Sequence, residues 1–286
     1  MNTASATTAA APADLELVDV DDVLRRRAPK LRRRLPRMAV RWLERWICQD
    51  EINRVIEATR GLEGADFCAA ALSHEEVTYE VVKPERLQSS EPVTIVSNHP
   101  LGALDGICLI DAMTRAYGCP VKFPVNDLLM AITPLRSVFI PINKHGRQSR
   151  EAAAAIDQAF ASKEPVLMFP AGLCSRKGKD GVIADLTWHK MFLLKSLPTN
   201  RRIIPVYFDG QNSKFFYNLA RLRQRLGISF NLEMLCLPRE IFRCRGRHYR
   251  ITVGQAVNPA ELLELCGGDA TEAASRLKSI VYSLKT

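Results

Sequence analysis

The chain has no apolar run near the roughly 18 residues that a bilayer-spanning helix requires, which excludes a helical span within it. Its first stretch, MNTASATTAAAPADLELVDVDD, has neither a basic n-region nor an apolar h-region. Residues 1–24 therefore read as a disordered Ala/Thr-rich tail and not as a secretory leader. No two of the eight cysteines are spaced CxxC, and Cys68, Cys108 and Cys236 sit inside apolar runs. Buried, reduced thiols are expected, with no disulfide framework and no metal site. A phosphate loop is missing too: in AGLCSRKGKD five residues separate Gly172 from Gly178, and Asp180 follows Lys179 where Ser or Thr is needed. Ser175 and Cys174 lack the flanking pattern of a nucleophile elbow. Finally, most of the chain lacks a basic excess. The net charge is +9, yet the stretch from Arg25 to Arg45 alone holds ten Lys/Arg against one Glu. Basicity that belongs to one arm, with no nucleic-acid-binding motif after it, argues against nucleic acid and for an anionic membrane surface as partner.

What is present falls into two textures. Residues 25–85 read as a basic, amphipathic helical region. Pro36 suits the first turn of a helix and Gly61 its end. Ala39, Leu43, Trp46 and Ile47 recur at helical spacing beside Trp42, and Arg37, Arg41 and Arg45 form a parallel basic row. Such a helix can lie in a membrane interface through Arg32, Arg33, Arg34, Arg37, Arg41, Trp42 and Trp46. It can equally dock its Trp/Leu face on the main domain and leave the arginines solvated. From residue 86 to 286, short apolar runs alternate with helical segments. Strands are expected at 92–97, 121–125, 137–142, 165–170, 203–209, 230–237 and 249–257, with helices at 105–117, 146–162, 188–196, 215–226 and 271–284. The alternation predicts an α/β fold, with a mixed, largely parallel sheet flanked by helices and a helical N-terminal addition. A site belongs in the loops at the strand C-termini.

SNHPLGALDGI, at 97–107, lies just past such an end. An imidazole becomes a good general base when a carboxylate accepts its Nδ1–H, and Gly102 permits the tight path that would bring Asp105 to His99. The alternatives are a helix N-cap for Asp105 and a hydrogen-bonded loop histidine for His99.

NHPLGALDG resembles the NHxxxxD signature of the glycerolipid acyltransferases, the lysophosphatidic acid acyltransferase-like or PlsC-like proteins. Three further blocks resemble the family's others in order: SVFIPINKHGR, VLMFPAGLCSRKG and RIIPVYFDGQNS. Together they span roughly residues 93–213. This chain has five residues between His99 and Asp105 where the family has four, and Ala171 replaces the glutamate of the third block. NHPLG-LDG with FPAG resembles the hemolysin-like branch, which includes acyltransferases that make ornithine and related amino-acid lipids.

The resemblance implies a peripheral membrane acyltransferase on the cytoplasmic side of the cell membrane. Acyl-CoA or an acyl carrier protein thioester would be co-substrate, with no cofactor, and the acceptor would be a lyso-lipid such as lyso-ornithine lipid or lysophosphatidic acid. It implies His99 as base, Asp105 as its orienter, and Lys144, Arg147, Gly172, Ser175, Arg176 and Lys177 around the substrates, with backbone N–H groups near Gly172 or at a helix N-terminus facing the oxyanion. A non-catalytic lipid-binding protein on the same fold is the alternative.

Overall fold

A computed structural model describes residues 17–142 and 150–285 of the chain. The Asp19 side chain accepts the Asp22 N–H and so caps α1 (Val20–Arg27). Three more short helices follow, α2 (Pro29–Arg34), α3 (Arg37–Trp46) and α4 (Gln49–Ala58). The single helix expected from Pro36 to Gly61 is thus two, broken where Cys48 takes the left-handed conformation at φ 57°. That conformation costs a non-glycine residue about 1–2 kcal/mol. The break re-aims the chain, so that α3 keeps Val40 and Trp46 inward while α4 buries Val55 and Ile56. Asn53 of α4 holds the segment that leads into α1, accepting the Val18 N–H and donating to the Val18 carbonyl.

The remaining elements are α5 (Gly64–His74), β1 (Thr78–Val82), β2 (Val93–Ser97), α6 (Leu104–Tyr117), β3 (Phe123–Asn126), β4 (Phe139–Ile142), α7 (Arg150–Ala161), β5 (Val166–Met168), β6 (Arg176–Lys177), β7 (Ile183–Ala184), α8 (Met191–Ser196), β8 (Arg202–Asp209), α9 (Lys214–Arg225), α10 (Leu237–Arg243), β9 (His248–Val253), α11 (Pro259–Leu265) and α12 (Ala270–Ser283). Five strands form a sheet in the order β1-β9-β8-β2-β5, parallel at every pairing except β8/β9. A bridge between Lys122 and Val166 carries it on to the parallel pair β3/β4. This is the mixed, largely parallel sheet the sequence predicts. Strand β2 is buried along its whole length, as a central parallel strand covered on both faces must be. Its alternation sorts the two layers. Ile95, Leu167 and Ile204 pack with Leu109 and Met113 of α6, while Val96, Met168 and Ile203 pack with Phe160 of α7, Phe192 of α8 and Leu277 of α12.

Two further expectations differ from the structure. Residues 230–237 form no strand: Leu232–Cys236 is a 3₁₀ turn leading into α10, whose first turn holds Pro238. The alternation there was misleading because Glu233, an apparent outward position, is fully buried and ion-paired. Conversely β1 was not expected. TYEVV carries the weak signal of a half-exposed edge strand, yet its parallel register with β9 places a piece of the sheet ahead of residue 86.

One buried charge braces the frame. The Arg201 guanidinium donates to the carbonyls of Val93, Ala159, Phe160, Ser162 and Glu164, fastening the end of α7 to the start of β2. Burial lowers its pKa to about 10, and five acceptors offset the loss of water.

Candidate active site

Strand β2 delivers its end to the surface at the C-terminal edge of the parallel strands. Asn98 secures that exit: its Oδ1 accepts the Phe208 N–H at 2.7 Å and its Nδ2 donates to the Phe208 carbonyl at 2.9 Å. The amide thereby copies a backbone pairing to β8 and stops the strand wandering before His99. The loop then turns back through Gly102, at φ +84°. A Cβ at that position would meet the Leu237 side chain at 2.8 Å and Cys174 at 3.0 Å. Glycine is therefore required twice, for its backbone conformation and for space.

The turn returns Asp105 to His99. Nδ1 of His99 lies 2.9 Å from Asp105 Oδ2, with the imidazole 14% exposed and the carboxylate fully buried. The extra residue between the two does not separate them. Asp105 does not cap α6, since the cap position is Ala103 and no side chain bonds there. Its Oδ2 instead accepts the N–H groups of Leu101 and Gly102, and its Oδ1 that of Gly106. A carboxylate so occupied accepts from His99, which puts the imidazole proton on Nδ1 and leaves the Nε2 lone pair. Nε2 makes no hydrogen bond to any described residue. The Phe169 ring stacks on the imidazole, centroids 3.9 Å apart and planes 16° from parallel, and is itself held edge-on by Phe123. Rotation of His99 is blocked from its face as well as from Nδ1.

Two residues that sequence reasoning did not place at the site hold this corner together. Ser213 caps α9, its Oγ accepting the Phe216 N–H, while buried Asn212 donates from Nδ2 to the carbonyls of Pro100 and Leu101. Asp185 had no motif around it. It accepts the His99 backbone N–H at 3.1 Å, the Ser175 hydroxyl at 2.6 Å and the Trp188 indole at 2.9 Å. Helix α12 closes behind it: Tyr282 Oη accepts the Asp185 N–H and Lys278 Nζ donates to the Asp185 carbonyl. Neither residue has a local spacing that could mark it, because the His99 loop that each one holds lies far away in sequence.

The third block joins the same network and presents few free groups. Ser175 is buried, and its N–H donates to the His99 carbonyl at 2.7 Å. The Gly172 N–H donates to the Phe169 carbonyl and closes a turn at φ +64°. Arg176, read as a cation near substrate, is buried. It pairs with Glu233 at 2.9 Å, donates to the Cys174 carbonyl and lies over the Phe216 ring. Arg223 takes the other Glu233 oxygen at 2.9 Å. Lys177 is exposed. Burial pushes the Cys174 thiol up to about 11, which leaves it protonated and unsuited to attack. Lys144 and Arg147 lie outside the described residues.

The arm divides between the two readings open to it. Trp46 docks, contacting Phe215 and the cluster of Phe216, Tyr217 and Leu237, with the Arg239 guanidinium over its ring. Trp42 stacks on Trp46 and stays 59% exposed. Arg33, Arg34, Arg37 and Arg41 are exposed, whereas Arg32 pairs with Asp21. No helix among the described residues is long and apolar enough to cross a membrane.

Comparison with known proteins gives the following. The model of a family described as acyltransferase matches residues 22–286. A lyso-glycine lipid O-acyltransferase of Bacteroides thetaiotaomicron is 40% identical over 270 residues, 94% of this chain and 98% of that protein. A lyso-glycine lipid O-acyltransferase of Phocaeicola vulgatus is 38% identical over 268 residues, 94% of this chain and 95% of that protein. The crystal structure of the 1-acyl-sn-glycerophosphate (LPA) acyltransferase PlsC of Thermotoga maritima aligns with a TM-score of 0.46 and 14% identity, over 77% of this chain and 80% of that one, too slight a likeness to argue from.

Proposed function

The chain belongs to the acyltransferase family, and on that premise we propose that this O-acyltransferase moves a fatty acyl group from a thioester to the hydroxyl of a lyso-amino-acid lipid. The donor is acyl-CoA or acyl carrier protein. The names of the two relatives make lyso-glycine lipid the first acceptor to test, with lyso-ornithine lipid and lysophosphatidic acid as the comparison.

The observation that carries this reading is the 2.9 Å contact between His99 Nδ1 and Asp105 at a strand end, with Nε2 unbonded among the described residues. Nε2 takes the proton of the acceptor hydroxyl as the oxygen attacks the thioester carbonyl. Asp105 keeps the proton on Nδ1 and stabilises the imidazolium, and the Phe169 face supports the same positive charge. The tetrahedral intermediate expels the thiolate, which recovers the proton from Nε2. One C–O bond forms and one C–S bond breaks, with no acyl-enzyme. A thioester is activated enough for positioning and general base catalysis to suffice. A protein that only bound lipid would have no use for a buried carboxylate spent on orienting an imidazole.

Lys177, with Lys144 and Arg147, supplies cations for phosphate groups of the donor. Arg176 serves the scaffold instead, holding the third block on Glu233. The arginine-rich arm lies on the anionic inner leaflet, on the side where thioester donors are made. Thiol release from acyl-CoA or acyl carrier protein, measured against a panel of lyso-lipids, tests the activity. His99→Ala should abolish release while leaving the circular dichroism spectrum unchanged. Full activity in that variant would sink the mechanism.

A further inference from the structure

Helix α9 has three faces where a surface helix usually has two. Phe216, Tyr217 and Ala220 are buried against the body. Phe215, Leu219, Leu222 and Leu226 recur at i, i+4, i+7 and i+11, a narrow apolar stripe along another side. Phe215 is 48% exposed, Leu222 53% and Leu226 64%, and after the helix Phe230 follows at 61%. Lys214 and Arg225 border the stripe and are exposed. From residue 210 to 232 there is no Asp or Glu. Single exposed leucines mean little, but a stripe of this length edged by cations marks an interaction surface.

We propose that α9 and the turn after it form a second bilayer-docking element, which extends the surface offered by the arginine-rich arm. The occupant is a lipid surface carrying anionic headgroups. Acid-free sequence beside Lys214 and Arg225 suits such a surface, and apolar side chains on a narrow stripe reach only the shallow depth an interfacial helix does. The face is continuous with the exposed part of the arm, since Phe215 meets Trp46 at 6.1 Å between ring centroids and Trp42 stacks on Trp46 at 5.1 Å. It also leads to the site. Asn212, two residues before α9, donates to the loop that carries His99, and Leu237 packs against Gly102 of that loop. A bilayer seated on α9 would bring a lipid hydroxyl up beside His99. That last step rests on the lyso-lipid reading; the docking itself does not.

The test is flotation of the full chain with vesicles of phosphatidylcholine and phosphatidylglycerol. The triple variant Leu222→Gln, Leu226→Gln, Phe230→Gln should partition at least tenfold more weakly with an unchanged melting temperature, because all three side chains are exposed. Lys214→Gln with Arg225→Gln should weaken binding to the mixed vesicles and leave binding to pure phosphatidylcholine as it was. Wild-type flotation in both variants would overturn the proposal. So would a triple variant that floats normally but runs smaller on gel filtration, which would give the face to a second copy of the chain. A protein that floats yet transfers no acyl group would sink the acceptor reading and leave the docking face standing.

Discussion

The corner around His99 and the face made by α3 and α9 treat polar and apolar groups in opposite ways. At the corner, Asp105, Asp185, Asn98 and Asn212 are all buried, and each answers specific donors or acceptors inside the protein. On the face, Leu222, Leu226 and Phe230 stand in solvent, and Trp42 stays mostly exposed beside arginines with only its stack on Trp46 to cover it. Buried polar groups without partners cost several kcal/mol, so the corner holds as a network in which these four side chains pair every polar atom but Asn212 Oδ1. Exposed apolar groups cost little individually and stay ready for an external partner. On the proposed function, rigidity marks the chemistry and incompleteness marks the contact.

The most direct way to break the comparison is at the base. On the proposed mechanism His99→Ala removes general base catalysis, worth about 10²–10⁴-fold, and should lower turnover by at least that much with stability little changed. Asp105→Asn should lower turnover too, and also stability, because the amide nitrogen cannot accept the backbone N–H groups that the carboxylate does. If the asparagine variant turned over normally, the orienting role of Asp105 would be lost. Next in size is the buried ion triple. Glu233→Ala strands Arg176 and Arg223 without their partner and should cost about 3–5 kcal/mol in denaturant unfolding, whereas removing an exposed arm pair such as Arg26–Asp22 should cost under about 1 kcal/mol. Equal costs would erase the distinction between the two regions.

How much of this was legible in the sequence follows the same division. Local patterns were readable: the apolar runs of β2, β4, β5 and β8, the helix α6, and the His99–Asp105 pair itself, because strand and turn chemistry act over a few residues. Gly102 could be singled out for the same reason. What depended on distant partners could not. Asp185 lies 86 residues from the His99 N–H it accepts, and Glu233 lies 57 residues from Arg176, so nothing near either residue signals its role. The strand expected at 230–237 failed for this cause, since a buried charged residue mimicked an outward one. In the arm, amphipathicity was plain, but whether Trp42 or Trp46 would dock depended on where Phe215 came to rest.

Two smaller perturbations sharpen the comparison. Gly102→Ala places a methyl in the left-handed region against Leu237 and Cys174, and should cost roughly 1–3 kcal/mol while lowering turnover, since the loop cannot close Asp105 onto His99 unchanged. A variant with wild-type kinetics would show that the loop tolerates another path. Alkaline pH probes the core as a whole. Burial raises Cys174 to about 11 and Tyr207 and Tyr217 to about 12, above their ordinary values of 9.0 and 10.0. The folded chain therefore holds protons that the unfolded chain releases, and stability should fall as pH rises past about 9. A melting temperature flat from neutrality through that window would contradict the burial of these groups.

The smallest expected effect on the folded protein belongs to the arm. Arg37→Gln with Arg41→Gln changes exposed side chains with no ion pair among the described residues, so the melting temperature should move by less than about 0.5 kcal/mol would cause. Turnover with a donor and acceptor dispersed in detergent should be unchanged as well, because neither guanidinium reaches the His99 corner. The effect should appear only with anionic vesicles, as weaker binding whose salt dependence is shallower than in the unaltered chain. Each lost arginine removes about 1 kcal/mol of attraction to an anionic surface, several-fold in partition. If the pair variant melted early or lost turnover in detergent, these arginines would belong to the corner's network after all. Their separation from it is the physical content of calling one region built for chemistry and the other for contact.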